Sequence, residues 1–334
     1  MNVVVTSPRF PERDQYRDLV EAVDGDLVYA DCATEEDAVE RCRDANVIVT
    51  GFVPVTERVM DAAPDLEFIM VHATGYDAVD VPAATARGIP VSNVPGYAPR
   101  DVASHAFTLL LSAAHDVVRA DRDMRSGDGW TRRTREPLHG GTLGIVGLGE
   151  IGRKIVPFAE GFDMDVIAHD PYLADDVFDL LGVESVEFDD LLARSDAVTV
   201  HAPLTSITHH LFSDAEFERM KPSAVLVNTA RGPIVDEAAL VDAIEGGEIR
   251  AAGLDVFETE PPADSPVLDC DRIVCTPHVG GGTRQAADSV VAIARAELRR
   301  VLNGEAPRNV VNEEVFQYRG SQVTTPGDEV EYEE

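Results

Sequence analysis

The chain has 334 residues, enough for two domains with separate cores, and its 61 acidic against 28 basic residues leave a formal charge of −33. Such a field repels phosphates and argues against nucleic acid as a ligand, and no apolar run reaches the ~18 residues of a membrane span. The acids are spread over helical stretches and Lys154 and Lys221 are the only lysines, a pattern that predicts adaptation to multimolar salt rather than recruitment of a basic partner.

The opening MNVVVTSP enters a strand-like run without a basic region or cleavage signal, so an unprocessed cytoplasmic protein is expected. Strand and helix patterns then alternate: VVVT, a helix around RDLVEAV, LVYA, EEDAVERCRDA, NVIVTG, ERVMDAA, FIMVHA and IPVSN. That βα repeat predicts a parallel sheet with helices on both faces. One long apolar helix is expected from about Pro99 to Met124, with Pro99 in its first turn and SGDGW at its exit. A second βα series begins at GTLGIVGLGEIG and runs through VIAHD, AVTVHA, AVLVNTA, AAGLDVF and RIVCTP. A last helix, about Arg284 to Leu302, follows once that series is complete, so it is expected to return to the first domain. Cys32, Cys42, Cys270 and Cys275 contain no CxxC pair; they read as free thiols of a reducing compartment, and no metal site is expected.

The expected fold is α/β with two doubly wound parallel-sheet domains. A Rossmann-type domain over residues 99–283 is inserted in a discontinuous domain of residues 1–98 and 284–316. Residues 317–334 are expected to form a disordered acidic tail.

Gly147, Gly149 and Gly152 form a GxGxxG run between the apolar strand LGIV and the amphipathic stretch IGRKIVPFAEGF. In that setting the first glycine makes a tight turn, the second lets backbone amides approach a pyrophosphate, and the third lets the helix pack close. The next strand ends in Asp170, whose carboxylate can take both ribose hydroxyls of an adenosine and repels a 2′-phosphate; NAD is therefore expected over NADP.

Three further polar residues stand at or just beyond strand ends of the second series. Arg231 closes VLVNTAR, Glu260 lies in DVFETEPP, and His278 follows IVCTP and precedes Gly280. Singly they read as a snorkelling arginine, a solvated glutamate and a strand-end histidine. Together they suit hydride transfer at a 2-hydroxy acid. Arg231 can grip a carboxylate and polarise a carbonyl with a planar fork, and His278 can give or take the proton of the oxygen. Glu260 would orient the ring and favour its protonated form.

With these motifs the chain resembles the D-isomer-specific 2-hydroxyacid dehydrogenase family from about residue 40 to 312, through TGYDAVD, GLGEIG, HAPLTSITHHL, MKPSAVLVNTARGPIVDEAAL, AAGLDVFETEPP and TPHVGG. The resemblance implies an enzyme that reduces a 2-oxo acid with NAD, a flavodoxin-like substrate domain, and a homodimer formed through the cofactor domain. It implies that Glu150, Ile151, Pro203, Thr208, Gly280 and Gly281 line the cofactor, that Thr229 and Ala230 pass beneath the nicotinamide, and that Asp255 takes its carboxamide. Backbone amides around Thr74 and Gly75 would hold the substrate carboxylate. Phosphoglycerate dehydrogenases of the family usually carry an Arg-Ser pair after the third strand, where this chain has Thr50-Gly51-Phe52, so glyoxylate, hydroxypyruvate or an apolar 2-oxo acid is the stronger expectation than phosphoglycerate. Where relatives read VAEHA this chain reads VASHA, with Ser104 in place of the glutamate. A reading of another class is an NAD-sensing binding protein, since TGYDAVDVPAATARGIPVSNVP also resembles the C-terminal-binding-protein corepressors.

The charge generates a direct test. Because the screening length grows from ~3 Å at 1 M to ~30 Å at 0.01 M salt, the melting temperature should rise across a KCl series from about 0.05 M to 3 M. A flat or falling curve would leave the acidic surface to partner recruitment.

Overall fold

The computed structural model describes residues 1–6, 14–127, 129–130 and 133–318, and the tail expected from 317 falls outside them from residue 319 onward. The chain divides into two compact units, Met1–Tyr97 together with the segment from Arg284, and Ala98–Thr283.

The first unit carries β1 (Asn2–Val5), β2 (Asp26–Tyr29), β3 (Val47–Thr50), β4 (Phe68–Val71) and β5 (Val91–Ser92). They form one parallel sheet in the order β2-β1-β3-β4-β5. Alternation along each strand splits the core in two. Val3, Val5, Val47, Val49, Phe68 and Met70 face Tyr16 and the helix Arg284–Leu302, through Val290, Ala294 and Leu298. Val4, Ile48, Ile69, Val71 and Val91 face the other way, against Ala38, Val59, Met60 and Ala84 of the helices Glu35–Arg41, Glu57–Ala62 and Val81–Ala86. A sheet apolar on both faces must be covered on both, which is why its strands read as unbroken hydrophobic runs.

The second unit carries β6 (Thr142–Val146), β7 (Asp165–His169), β8 (Glu184–Ser185), β9 (Ala197–Val200), β10 (Val225–Asn228), β11 (Ala251–Leu254) and β12 (Ile273–Cys275). All pair in parallel, in the order β12-β11-β10-β9-β6-β7-β8. The chain runs outward from β6 to β8 and then crosses back to β9 beside β6, so strand order reverses there, the point at which doubly wound sheets place their ligands. Leu143, Ile145, Val225 and Val227 pack on the helices Pro99–Ala114 and Glu150–Glu160, while Val198, Val200, Leu226 and Leu254 pack on the helix Glu237–Gly246 and Phe217. The two-residue β8 is exposed and lacks an apolar run, which is why the sequence reading did not contain it.

One expected element is corrected. The apolar helix expected to be continuous from Pro99 to Met124 is two helices, Pro99–Ala114 and Val117–Ser126, parted at Asp116, whose φ is +51°. Aspartate tolerates that left-handed backbone better than most residues. Arg250 donates to the Ala114 carbonyl, and the Asp116 carboxylate faces Arg135 at 3.5 Å and Arg250 at 3.7 Å. Packing of the second helix offers nothing to oppose the break, because it buries no residue and leaves Val117, Val118 and Met124 about half exposed. No helix among the described residues is long and apolar enough to cross a membrane.

If the break is held this way, Asp116→Val should destabilise the protein by roughly 1–2 kcal/mol and Asp116→Gly by less, because only the first adds the left-handed steric cost. Thermal melts of both variants check it; equal losses would assign the effect to the ion pairs alone.

Candidate active site

The loop after β6 is built by close approach. Gly147 has φ +91° and donates its N–H to the His169 carbonyl at 3.0 Å, and a Cβ there would lie 2.7 Å from the Ala202 nitrogen. A Cβ at Gly152 would lie 2.4 Å from the Gly147 carbonyl oxygen. A side chain at Gly147 would strike the backbone that follows β9, and one at Gly152 would push the helix Glu150–Glu160 off the end of β6, which is the geometric content of the spaced glycines. Glu150 is exposed at the first turn of that helix, and Ile151 packs against the core behind it. Asp170, just past β7, is tied to the loop: its Oδ2 accepts from the Leu148 N–H at 2.9 Å and its Oδ1 from the Tyr172 N–H at 3.1 Å.

Beyond β9 the loop is braced by Thr208, whose hydroxyl donates to the Pro203 carbonyl at 2.6 Å and accepts from the Thr205 N–H at 2.8 Å. The site fits a dinucleotide on three observations. A Cβ at Gly149 would meet nothing within 4 Å, so the space over the helix N-terminus is open. Thr229 Oγ1, just past β10, and His201 Nδ1, just past β9, are buried without a hydrogen-bond partner in the protein. Burial also pushes the His201 imidazole down to about 3, so this ring is neutral and adds no cation to the glycine loop.

Arg231 is delivered by Asn228, the fully buried last residue of β10. The Asn228 amide donates to the Arg231 carbonyl at 2.8 Å, and its Oδ1 accepts from the Ala230 N–H at 3.0 Å. Arg231 itself donates to the Ala230 carbonyl at 2.7 Å. The next residue explains the GP that follows: a Cβ on Gly232 would fall 1.9 Å from the backbone carbon and oxygen of Phe257. The loop carrying Arg231 thereby lies against the loop carrying Glu260.

Glu260 Oε1 accepts from the Phe257 N–H at 3.2 Å, and its Oε2 meets His278 Nδ1 at 2.8 Å, with about a third of each side chain exposed. Partial burial works to raise the Glu260 pKa. The hydrogen bond and charge of His278, the Phe257 amide and the nearby Arg231 guanidinium outweigh it and hold the carboxyl below its ordinary value. The structure therefore brings Arg231, Glu260 and His278 together on one edge.

His278 adopts φ +51°, and its N–H reaches the Asp255 carbonyl at 2.9 Å and that of Thr276 at 3.0 Å. The Asp255 carboxylate is buried; Oδ1 accepts from the Thr276 hydroxyl at 2.6 Å and the Val279 N–H at 2.9 Å, and Oδ2 from the Gly280 N–H at 2.7 Å. Expected only as a partner for a carboxamide, Asp255 is first of all the anchor of the turn that presents His278. Gly281 continues that turn. Thr74 and Gly75 belong to the first unit, where they follow β4; the Thr74 hydroxyl donates to the Val94 carbonyl at 2.8 Å and its carbonyl accepts from Asn93 at 2.7 Å. Sequence reasoning missed Asn228 and Thr276. Each is a polar residue at the end of an apolar strand, and that was the available signal.

Comparison with known proteins agrees with this geometry. Residues 107–280 match the model of the D-isomer specific 2-hydroxyacid dehydrogenase NAD-binding domain. The chain is 38% identical over 316 residues to D-3-phosphoglycerate dehydrogenase of Methanocaldococcus jannaschii, an alignment that covers 93% of this chain and 59% of that protein. It is 40% identical over 288 residues to glyoxylate reductase of Korarchaeum cryptofilum, covering 84% of this chain and 87% of the relative. Among solved structures it resembles the NAD-dependent formate dehydrogenase of Staphylococcus aureus in complex with NAD, with a TM-score of 0.84, 29% identity, and 93% and 99% of the two chains covered. With the glycine loop, the tethered aspartate and the arginine, glutamate and histidine all on the strand-end edge of the matched domain, the chain belongs to the D-isomer specific 2-hydroxyacid dehydrogenase family.

Proposed function

We propose that the protein is an NAD-dependent oxidoreductase that reduces a small 2-oxo acid to the D-2-hydroxy acid and runs the reverse reaction. The observation that supports it most is the 2.8 Å pairing of Glu260 with His278 within electrostatic reach of Arg231. In this reading residues 99–283 bind the cofactor and residues 1–98 and 284–316 the substrate, with Thr74 and Gly75 contributing amides to a carboxylate. Bound NAD supplies the hydride donor or acceptor.

Gly147, Gly149 and Gly152 take the pyrophosphate against the helix N-terminus, where backbone N–H groups and the helix dipole favour negative charge. Asp170 takes the adenosine ribose, and Thr229, Ala230 and Asp255 bound the nicotinamide end. Arg231 grips the carboxylate and polarises the carbonyl. With Nδ1 engaged by Glu260, His278 uses Nε2 to pass a proton to the carbonyl oxygen in reduction and to remove it in oxidation. Thr50-Gly51-Phe52 stands where phosphoglycerate dehydrogenases of the family carry an Arg-Ser pair and offers no cation for a phosphate, which favours glyoxylate, hydroxypyruvate or an apolar 2-oxo acid over phosphoglycerate. The even spread of acids and the four free cysteines suit a cytoplasmic protein in a salt-rich interior.

A panel of 2-oxo acids assayed with NADH tests the reading, and activity on none of them would end it. NADPH should be worse than NADH by more than about tenfold, since it loses a hydroxyl contact and gains carboxylate–phosphate repulsion. Arg231→Lys keeps the charge but loses the fork, and should damage both substrate affinity and turnover; wild-type kinetics would remove Arg231 from the site.

His278→Ala should lower turnover by roughly 100-fold or more and leave NADH binding nearly intact. Glu260→Gln keeps a hydrogen-bonding group but removes the charge. Reduction draws its proton from the imidazole, and the carboxylate 2.8 Å from Nδ1 favours the charged ring that supplies it. Turnover in the reducing direction should therefore fall clearly below wild type in the variant, and wild-type turnover would make Glu260 structural.

Dimerisation through the cofactor domain belongs to the same proposal. Its support is the helix Val117–Ser126, which buries no residue, together with Trp130 at 88% exposure. Light scattering should give a dimer for the wild type and a smaller species for Val118→Glu; a monomeric wild type would overturn it.

A further inference from the structure

Behind the turn that presents His278 lies a second histidine. His105, on the helix Pro99–Ala114, places Nε2 2.9 Å from Thr276 Oγ1 and 3.3 Å from Asp255 Oδ1, with a fifth of its side chain exposed. Its ring also covers the turn: a Cβ on Gly280 would lie 3.7 Å from His105 Cδ2.

The direction of these bonds follows from counting protons. Asp255 accepts a backbone N–H on each oxygen, from Val279 and from Gly280, so its carboxylate acts as an acceptor. Thr276 has a single hydroxyl proton, and at 2.6 Å from Asp255 Oδ1 that proton is spent there. Oγ1 can therefore only accept from His105, and Nε2 of His105 carries the proton. The relay runs from His105 Nε2–H to Thr276 Oγ1–H to the Asp255 carboxylate, and that carboxylate holds the amides on the far side of His278. The carbonyls of Asp255 and Thr276 hold the His278 N–H itself.

We propose that His105 is a positioning residue for His278. Its Nε2–H fixes Thr276 and Asp255, and these two hold the left-handed turn at residue 278 that aims the imidazole. Left-handed backbone at a non-glycine residue persists only where its surroundings over-determine it, and this relay supplies that determination. The inference rests on the proposed function for the meaning of "aimed", and its structural half can be read without turnover.

Three variants of the full chain separate a donor from a filler. His105→Phe keeps a ring without an N–H, His105→Gln keeps an N–H donor without the ring, and Thr276→Val removes the oxygen that His105 reaches while keeping the side chain's shape. Amide hydrogen exchange at Val279 and Gly280 is followed in the protein without substrate, and kcat and KM are measured with glyoxylate and NADH. In His105→Phe and Thr276→Val, exchange should speed up and kcat fall, each by about tenfold, the scale of one hydrogen bond into a charged network. KM should change little, because Arg231 is untouched. His105→Gln should restore most of both. Wild-type exchange in His105→Phe, or His105→Gln as impaired as His105→Phe, overturns the proposal, and so does a wild-type-like Thr276→Val should the phenylalanine variant fail to fold. Failure of the wild type to turn over any 2-oxo acid would count against the proposed function alone, since the exchange comparison would still decide the role of His105.

Discussion

Every strand of the seven-stranded sheet runs the same way, and the chemistry of the protein depends on that parallel pairing. Parallel strands joined by crossovers release their carboxyl ends along a single edge, so the glycine loop, Asp170, Arg231, Asp255 and His278 emerge there although more than a hundred residues separate the first from the last. What refines this placement is backbone hydrogen bonding more than side-chain packing. Asn228 and Asp255 are buried polar groups whose hydrogen bonds go chiefly to main-chain amides and carbonyls of the loops that follow their strands. Leaving either set of amides unpaired would cost on the order of 1–3 kcal/mol per group, so the loops have one favoured course.

The architecture was legible because both sheets are covered on two faces and their strands are short, wholly apolar runs between helical patterns. The glycine loop and the arginine, glutamate and histidine were legible for another reason: each lies within a few residues of the end of such a run. Less legible were features set by distant partners. The break at Asp116 depends on Arg135 and Arg250 and on a second helix with nothing to bury, whereas local propensity favours continuity. The roles of Asn228, Thr276 and His105 depend on which amide, carbonyl or hydroxyl lies across a gap of about 3 Å, and no periodicity encodes that. Gly232 stands between the two cases. Its GP motif marked a turn, but the reason for the glycine is the main chain of Phe257, twenty-five residues further on.

The surface and the site make opposite demands. A chain with a formal charge of −33 repels an anionic 2-oxo acid at long range, and the proposed anchor for that anion is the guanidinium of Arg231. Concentrated salt removes the long-range penalty, since charges further apart than the screening length no longer act on one another. The same salt threatens any catalytic effect that works through space.

Glu260 and His278 meet at 2.8 Å, inside even the ~3 Å screening length of molar salt, with no room for a counterion between them. Their direct contact therefore depends on local geometry more than on the ions around it, while the rest of the acidic surface exchanges its field with every change in ionic strength. A cell whose internal salt varies over a wide range would alter how readily an anionic substrate of the proposed kind arrives, but the pairing of Glu260 with the proposed proton donor would keep its geometry.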